Sequence, residues 1–195
     1  MESDTPIQTN EPPVVNEIGT TTDIFAKRGD SLSGDYNRDV MDRSAMPSLE
    51  FAFEVRALVG AVLEVGALPH GRRRLVPITG GTFEGPDLRG RILSGGSDWQ
   101  VIHADGFSQL DSRYALETDE GALITVRNAG MRHAPSDVMN KLLAGKVVDP
   151  ALVYFRTHPT FETAAPHLQW LMRSLFIGVG ERYPSEVVVR FWRIL

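Results

Sequence analysis

Several residues in this chain have types and spacings that could do chemistry. Asp111 and Arg113 stand two positions apart on one face of an alternating segment. Arg127 lies within Leu123-Ile124-Thr125-Val126-Arg127-Asn128, and Arg156 follows Val153-Tyr154-Phe155, both otherwise apolar runs. A charge in such a run is costly to bury unless it is paired. Asp111, Arg127 and Arg156 are therefore either structural ion pairs or the wall of a pocket for a carboxylate, enolate or phenolate. Glu162 sits in Phe161-Glu162-Thr163, which reads as a loop after Pro159. A carboxyl beside an aromatic ring has its pKa raised and suits general acid or base work, the alternative being a solvated loop acid. Asp98-Trp99 follows the diglycine Gly95-Gly96 at a strand start, so Trp99 is either a core plug or a stacking surface at a barrel mouth. In Arg72-Arg73-Arg74 the first and third share a strand face, and Arg74 is the candidate for entering the interior.

Other chemistries find no support. With no Cys there is no disulfide, thiolate nucleophile or Cys-based metal site. The five histidines, His70, His103, His133, His158 and His167, show no HxH or HExxH spacing, so no metal is expected. Gly80-Gly81 lacks the Lys-Ser/Thr and the following helix of a phosphate loop, and no serine stands in GxSxG, so no cofactor or serine triad is expected.

The elements that must position these residues are strands. Residues 49–55, 58–65, 73–79, 88–93, 99–103, 107–118, 123–128, 152–157, 170–178 and 187–194 are apolar or alternate with period 2. Between them come turn signals every ~8–12 residues, and Asp105-Gly106 is a tight hairpin candidate. Along 107–118, Leu110, Ser112, Tyr114, Leu116 and Thr118 share one face, and Asp111, Arg113 and Glu117 the other. Residues 135–145 alone have helical spacing, ending at Gly145, and predict one short helix across an end of the sheet. Ten strands and one helix are enough to close a small antiparallel β-barrel and remove its open edges.

Charge divides the chain of 195 residues. Residues 1–46 hold nine acids and four bases, which is the whole net charge of −5. They are rich in Thr, Asn, Asp, Ser and Pro and too poor in apolar residues to offset ordering entropy, which predicts a disordered or weakly ordered acidic tail. The barrel domain is expected over 47–195, where sixteen acids balance sixteen bases, fourteen of them Arg. A neutral domain behind an acidic leader has no basic face for nucleic acid. No run approaches the ~20 apolar residues of a spanning helix, and residues 1–12 lack the apolar core of a secretory signal, so a cytoplasmic protein without membrane partners is expected.

The stretch Gly71-Arg72-Arg73-Arg74-Leu75-Val76-Pro77-Ile78-Thr79-Gly80-Gly81-Thr82-Phe83-Glu84-Gly85-Pro86 resembles the domain of unknown function 3237 family, also called uncharacterised protein family 0311. Gly95-Gly96-Ser97-Asp98-Trp99-Gln100, Leu110-Asp111-Ser112-Arg113-Tyr114, Thr118-Asp119-Glu120-Gly121, Tyr154-Phe155-Arg156-Thr157, Phe161-Glu162-Thr163 and Trp170-Leu171 extend the resemblance over 47–195. It implies a compact antiparallel, calycin-like β-barrel and brings no reaction with it. Met172 departs from the family, whose members tend to carry Asn after Trp-Leu; if that position lines the pocket, this pocket is less polar.

The expected function is that of a small-molecule enzyme without metal or redox cofactor. Asp111 or Glu162 would move a proton while Arg127 or Arg156 stabilises oxyanion charge. Arg74, Asp98, Trp99, Tyr114 and Trp170 would hold an apolar or aromatic carbonyl-containing substrate. Isomerisation, addition–elimination or hydration next to a carbonyl suits such a set. The alternatives are a ligand-binding barrel without turnover and a homo-oligomer assembled through the barrel exterior. An acid and an arginine converging inside the barrel favour the enzyme; an all-apolar interior favours the carrier.

Overall fold

In the computed structural model, which describes residues 46–195, the period-2 segments form ten strands: β1 (Leu49–Val59), β2 (Leu63–Leu68), β3 (Gly71–Glu84), β4 (Arg89–Ile92), β5 (Gly96–Ile102), β6 (Ser108–Thr118), β7 (Leu123–His133), β8 (Tyr154–Glu162), β9 (Phe176–Arg182) and β10 (Glu186–Ile194). One α-helix, α1 (Ser136–Leu143), joins β7 to β8, and 3₁₀ turns occupy Pro150–Leu152 and Pro166–Met172. The expected acidic tail lies, Met46 apart, outside the described residues.

The sheet is antiparallel throughout and closes on itself. β1 pairs β10 on one side and residues 78–84 of β3 on the other. From β10 the order continues through β9, β8, β7 and β6 and returns to β3 through β4 and β5, which are successive halves of one stave. With β2 continuing the line of β1 along β3, the wall has eight staves. Closure leaves interior and exterior to alternate along every strand, most plainly in β8, where Phe155, Thr157, Pro159 and Phe161 are buried and their neighbours exposed.

The lower end, where β1 begins, is plugged by hydrocarbon. Phe53 is 0% exposed and meets Phe191 at 5.2 Å, Phe161 at 5.6 Å and Phe83 at 6.0 Å between ring centroids. Leu116, Ile124, Leu168 and Leu171 complete this cluster, the last two from the 3₁₀ turn Pro166–Met172. Glycine makes the packing possible: a Cβ on Gly178 would collide with Thr157 Oγ1 and sit 3.0 Å from the Phe191 ring. Gly178→Ala should therefore cost about 1–3 kcal/mol by overpacking, measurable as a lowered denaturation midpoint.

Three strand expectations are corrected. β7 runs on to His133, because Ala129-Gly130 continues the ladder with β6 and β8 instead of turning. β8 extends to Glu162, so Phe161-Glu162 is strand and not loop. Trp170 lies in the 3₁₀ turn that covers the lower end, and β9 starts only at Phe176. The Asp105-Gly106 hairpin forms as expected, with Gly106 at φ +86° and the Asp105 carboxylate accepting from the Phe107 N–H at 3.0 Å. Among the described residues no helix is long and apolar enough to cross a membrane.

Candidate active site in the barrel interior

Above the aromatic plug the inward positions become polar. β5 contributes Asp98 and Gln100, β6 Ser112 and Tyr114, β7 Asn128 and Arg132, β8 Thr157 and β9 Arg182. They line a chamber of about 40 Å³, with Val55, Val76, Ile78, Leu110, Phe155 and Val189 as its apolar wall. Val59, Arg182 and Val187, half-buried at the upper ends of β1, β9 and β10, form a rim. Arg74, buried on β3, donates from Nε to Gln100 Oε1 at 2.8 Å, and Gln100 Nε2 donates to Asp98 Oδ2 at 2.5 Å. An acid and an arginine are thus tied together by one amide inside the barrel.

The charges there are unbalanced. Three guanidinium groups, those of Arg74, Arg132 and Arg182, feel the Asp98 carboxyl; among the described residues it is the one acid acting on Arg132 and Arg182, whereas Arg74 is also drawn, and more strongly, by Glu64. Enclosure pushes the Asp98 pKa above the ordinary carboxylate value, against the opposing hydrogen bonds from Gln100 and Ser112 and the charge of Arg132. Burial pushes Arg132 down to about 10, with Arg74 adding repulsion and Asp98 partly offsetting it. Burial and then the Asp98 charge push Tyr114 up, so its phenol stays protonated. Five polar atoms of the lining have no hydrogen-bond partner among the described residues: Asp98 Oδ1, Asn128 Oδ1, Thr157 Oγ1 and Arg132 Nε and Nη2. Native interiors rarely leave buried polar groups unmet, so this cluster makes the chamber the candidate site.

Of the expected site residues, Arg74, Asp98 and Tyr114 face inward at the chamber. Asp111, Arg127, Glu162, Trp99 and Arg156 do not, and strand alternation is the reason. Leu110 and Ser112 point in on either side of Asp111, Val126 and Asn128 beside Arg127, Asp98 and Gln100 beside Trp99, and Phe155 and Thr157 beside Arg156. Glu162 follows the inward Phe161 and accepts from Thr125 Oγ1 at 3.1 Å on the outer surface. Trp170 packs on Phe176 at the lower end with Arg193 5.8 Å from its ring centre, and Met172 is exposed there, so neither reaches the chamber.

The outer acids and arginines satisfy one another instead. Arg127 Nε donates to Asp111 Oδ1 at 3.0 Å and Arg113 Nη2 lies 3.5 Å from Oδ2. The hydrogen bond from Arg127, then its charge, holds the Asp111 carboxyl below its ordinary pKa. Arg113, Arg127, Thr125, Thr160 and Glu162 edge a solvent-open hollow of about 710 Å³. It is far larger than the chamber, yet its polar groups are solvated or paired and leave nothing unmet to recognise a ligand. Because the Arg127 side chain is 58% exposed, Arg127→Met should leave the melting temperature within experimental error.

Arg132, Gln100, Asn128, Thr157, Ser112 and Arg182 were not among the expected site residues. Arg132 was within reach of the alternation Ile124, Val126, Asn128, Gly130, Arg132 once β7 is allowed its full length. Among the described residues no group of three or more His, Asp or Glu is placed to hold a metal.

Comparison with known proteins agrees with this architecture. A UPF0311 protein of Rhodopseudomonas palustris is 42% identical over 151 residues, covering 76% of this chain and 99% of that protein. A solved structure of a Rhodopseudomonas palustris protein of unknown function superposes with a TM-score of 0.76 at 39% identity, over 77% of this chain and 99% of the other. A hydroalkoxylation enzyme of Penicillium herquei is 31% identical over 84 residues, 43% of this chain and 56% of that protein. The model of the protein of unknown function family DUF3237 matches residues 47–194, and the chain belongs to that family.

Proposed function

We propose that this protein is an enzyme that moves a proton between two positions of a small carbonyl-containing substrate, with Asp98 as the acid/base and the chamber arginines holding the oxyanion. One observation carries this reading: an enclosed carboxyl with a raised pKa shares a chamber with Arg182 and with Arg132, whose Nε and Nη2 meet no acceptor among the described residues. A general acid/base works best with its pKa drawn toward the operating pH. Donors fixed in a low-dielectric interior stabilise a developing oxyanion more than water does. Tyr114, kept protonated, supplies a further donor.

The reaction type that suits this set is conjugate addition or its reverse. The Asp98 carboxylate takes the proton of a substrate hydroxyl, and the oxygen forms a C–O bond at the β-carbon of an unsaturated carbonyl. The displaced π pair moves to the carbonyl oxygen as an enolate beside the arginines. Asp98 then returns the same proton to the α-carbon. Within one molecule this is an isomerisation and needs no co-reactant. The name of the Penicillium herquei relative, a hydroalkoxylation enzyme, supports this type, since hydroalkoxylation adds an O–H across a carbon–carbon multiple bond.

Hydroxyl-bearing enones incubated in D₂O test it. Deuterium should enter the carbon next to the carbonyl with wild-type protein and not with Asp98→Asn. No incorporation with the wild type would contradict the assignment and leave a binding barrel; equal incorporation with both would remove Asp98 as the acid/base.

A further inference from the structure

The chamber leaves a pattern of unmet groups more specific than positive charge. Arg132 is the largest fully buried side chain of the barrel, 2% exposed, and both of its unpartnered nitrogens are on one edge of the guanidinium. Nε and Nη2 present two parallel N–H donors, the fork that matches the two oxygens of a planar carboxylate. Asp98 is not its hydrogen-bond partner: Arg132 Nε and Nη2 meet no acceptor among the described residues, and the Asp98 oxygen Oδ2 is taken by Gln100. The guanidinium instead leans on the Phe155 ring, 5.7 Å from its centre, which fixes its plane and leaves the edge free. Thr157 Oγ1 adds a hydroxyl without a partner in the same chamber.

From this we propose that the chamber is a carboxylate site and that the substrate is a small carboxylic acid. Arg132 grips both carboxylate oxygens through Nε and Nη2, and Thr157 donates a third hydrogen bond. The inference rests on the chamber being the working site proposed above and adds the substrate's class. The volume fits: about 40 Å³ accepts a group of a few heavy atoms, with the rest of the molecule leaving past the rim at Val59 and Val187. A carboxylate matches the two parallel donors with one oxygen each, whereas the single oxygen of an enolate would have to share both. With Arg132 committed to the carboxylate, Arg182 and Tyr114 remain for the oxygen on which charge develops. Asp98 Oδ1 and Asn128 Oδ1, both acceptors without partners, meet the part of the ligand that carries exchangeable hydrogen.

The test is calorimetric titration of the full chain with acetate and benzoate against acetamide and benzamide, which have the same shapes and no charge. The carboxylates should bind at least tenfold more tightly than the amides. Arg132→Met should abolish that preference, Arg132→Lys should lose most of it because the charge stays and the fork goes, and Arg127→Met should retain it. Equal binding of acid and amide, or a preference that survives Arg132→Met, overturns the proposal. The two lysine and methionine variants, both checked for a cooperative melt, keep a folding failure in one from hiding the answer. Carboxylate preference without any deuterium incorporation would sink the catalytic reading and leave this site standing. Incorporation without carboxylate preference would do the reverse.

Discussion

Arg132→Met should give a protein that is more stable than the wild type and unable to hold an anion. Arg132 carries a buried positive charge, meets no partner among the described residues on its Nε–Nη2 edge, and is repelled by Arg74. Replacing a buried ion pair by well-packed hydrocarbon is often neutral or stabilising by about 1–4 kcal/mol because desolvation is relieved, and a guanidinium edge without an acceptor has still less to lose. The Phe155 and Leu110 walls would pack against the methionine chain. The sign of the pH dependence follows from the lowered pKa. A base whose folded pKa is depressed penalises the fold while it is charged. The gap between variant and wild type is therefore full at neutral pH and narrows as pH rises through about 10. Denaturant titrations at pH 7 and above pH 10 measure it. A strongly destabilised variant would mean that Arg132 holds the barrel together and is not kept for a ligand.

The second large effect belongs to Asp98. Asp98→Asn keeps the shape and removes the proton carrier, and a positioned acid/base contributes about 10²–10⁴-fold to rate. The loss should fall on kcat more than on KM, since the arginines that bind charge are untouched. In the wild type, kcat/KM should rise with pH along a limb set by a carboxyl above the ordinary value of 3.8, and the variant should lack that limb. Stability should move the other way. An acid whose folded pKa is raised supports the fold when protonated, so the wild type loses stability relative to Asp98→Asn as pH rises from 3.8 through the raised value. An unaltered pH–rate profile in the variant would remove Asp98 from the mechanism.

The barrel was legible in the chain because turn chemistry and period-2 alternation are local. Phe161 in β8 and Leu110, Tyr114 and Leu116 in β6 all fall on the buried face that their alternation sets. The site was legible only in part. Asp111 and Arg127 attract notice as charges in apolar strands, yet in a closed wall one residue of displacement exchanges interior for exterior. Their phase puts them outside, paired with each other. Asp98 was placed at a strand start, and its depth comes from the register Val76–Asp98–Ser112, which aligns three strands and has no local signature. Arg132 was hidden because Ala129-Gly130 looks like the end of a strand, whereas Gly130 pairs with both Leu110 and Thr157 and carries β7 three residues further.

Ligand chemistry within the upper half of the barrel is tested most directly by electron density of the protein purified from its own host. A small molecule seated in the chamber, with oxygen atoms against Arg132 and a reacting carbon or hydroxyl against Asp98, is the predicted result. A ligand bound instead in the outer hollow beside Arg113, Arg127 and Glu162, over a chamber filled by water alone, would contradict it.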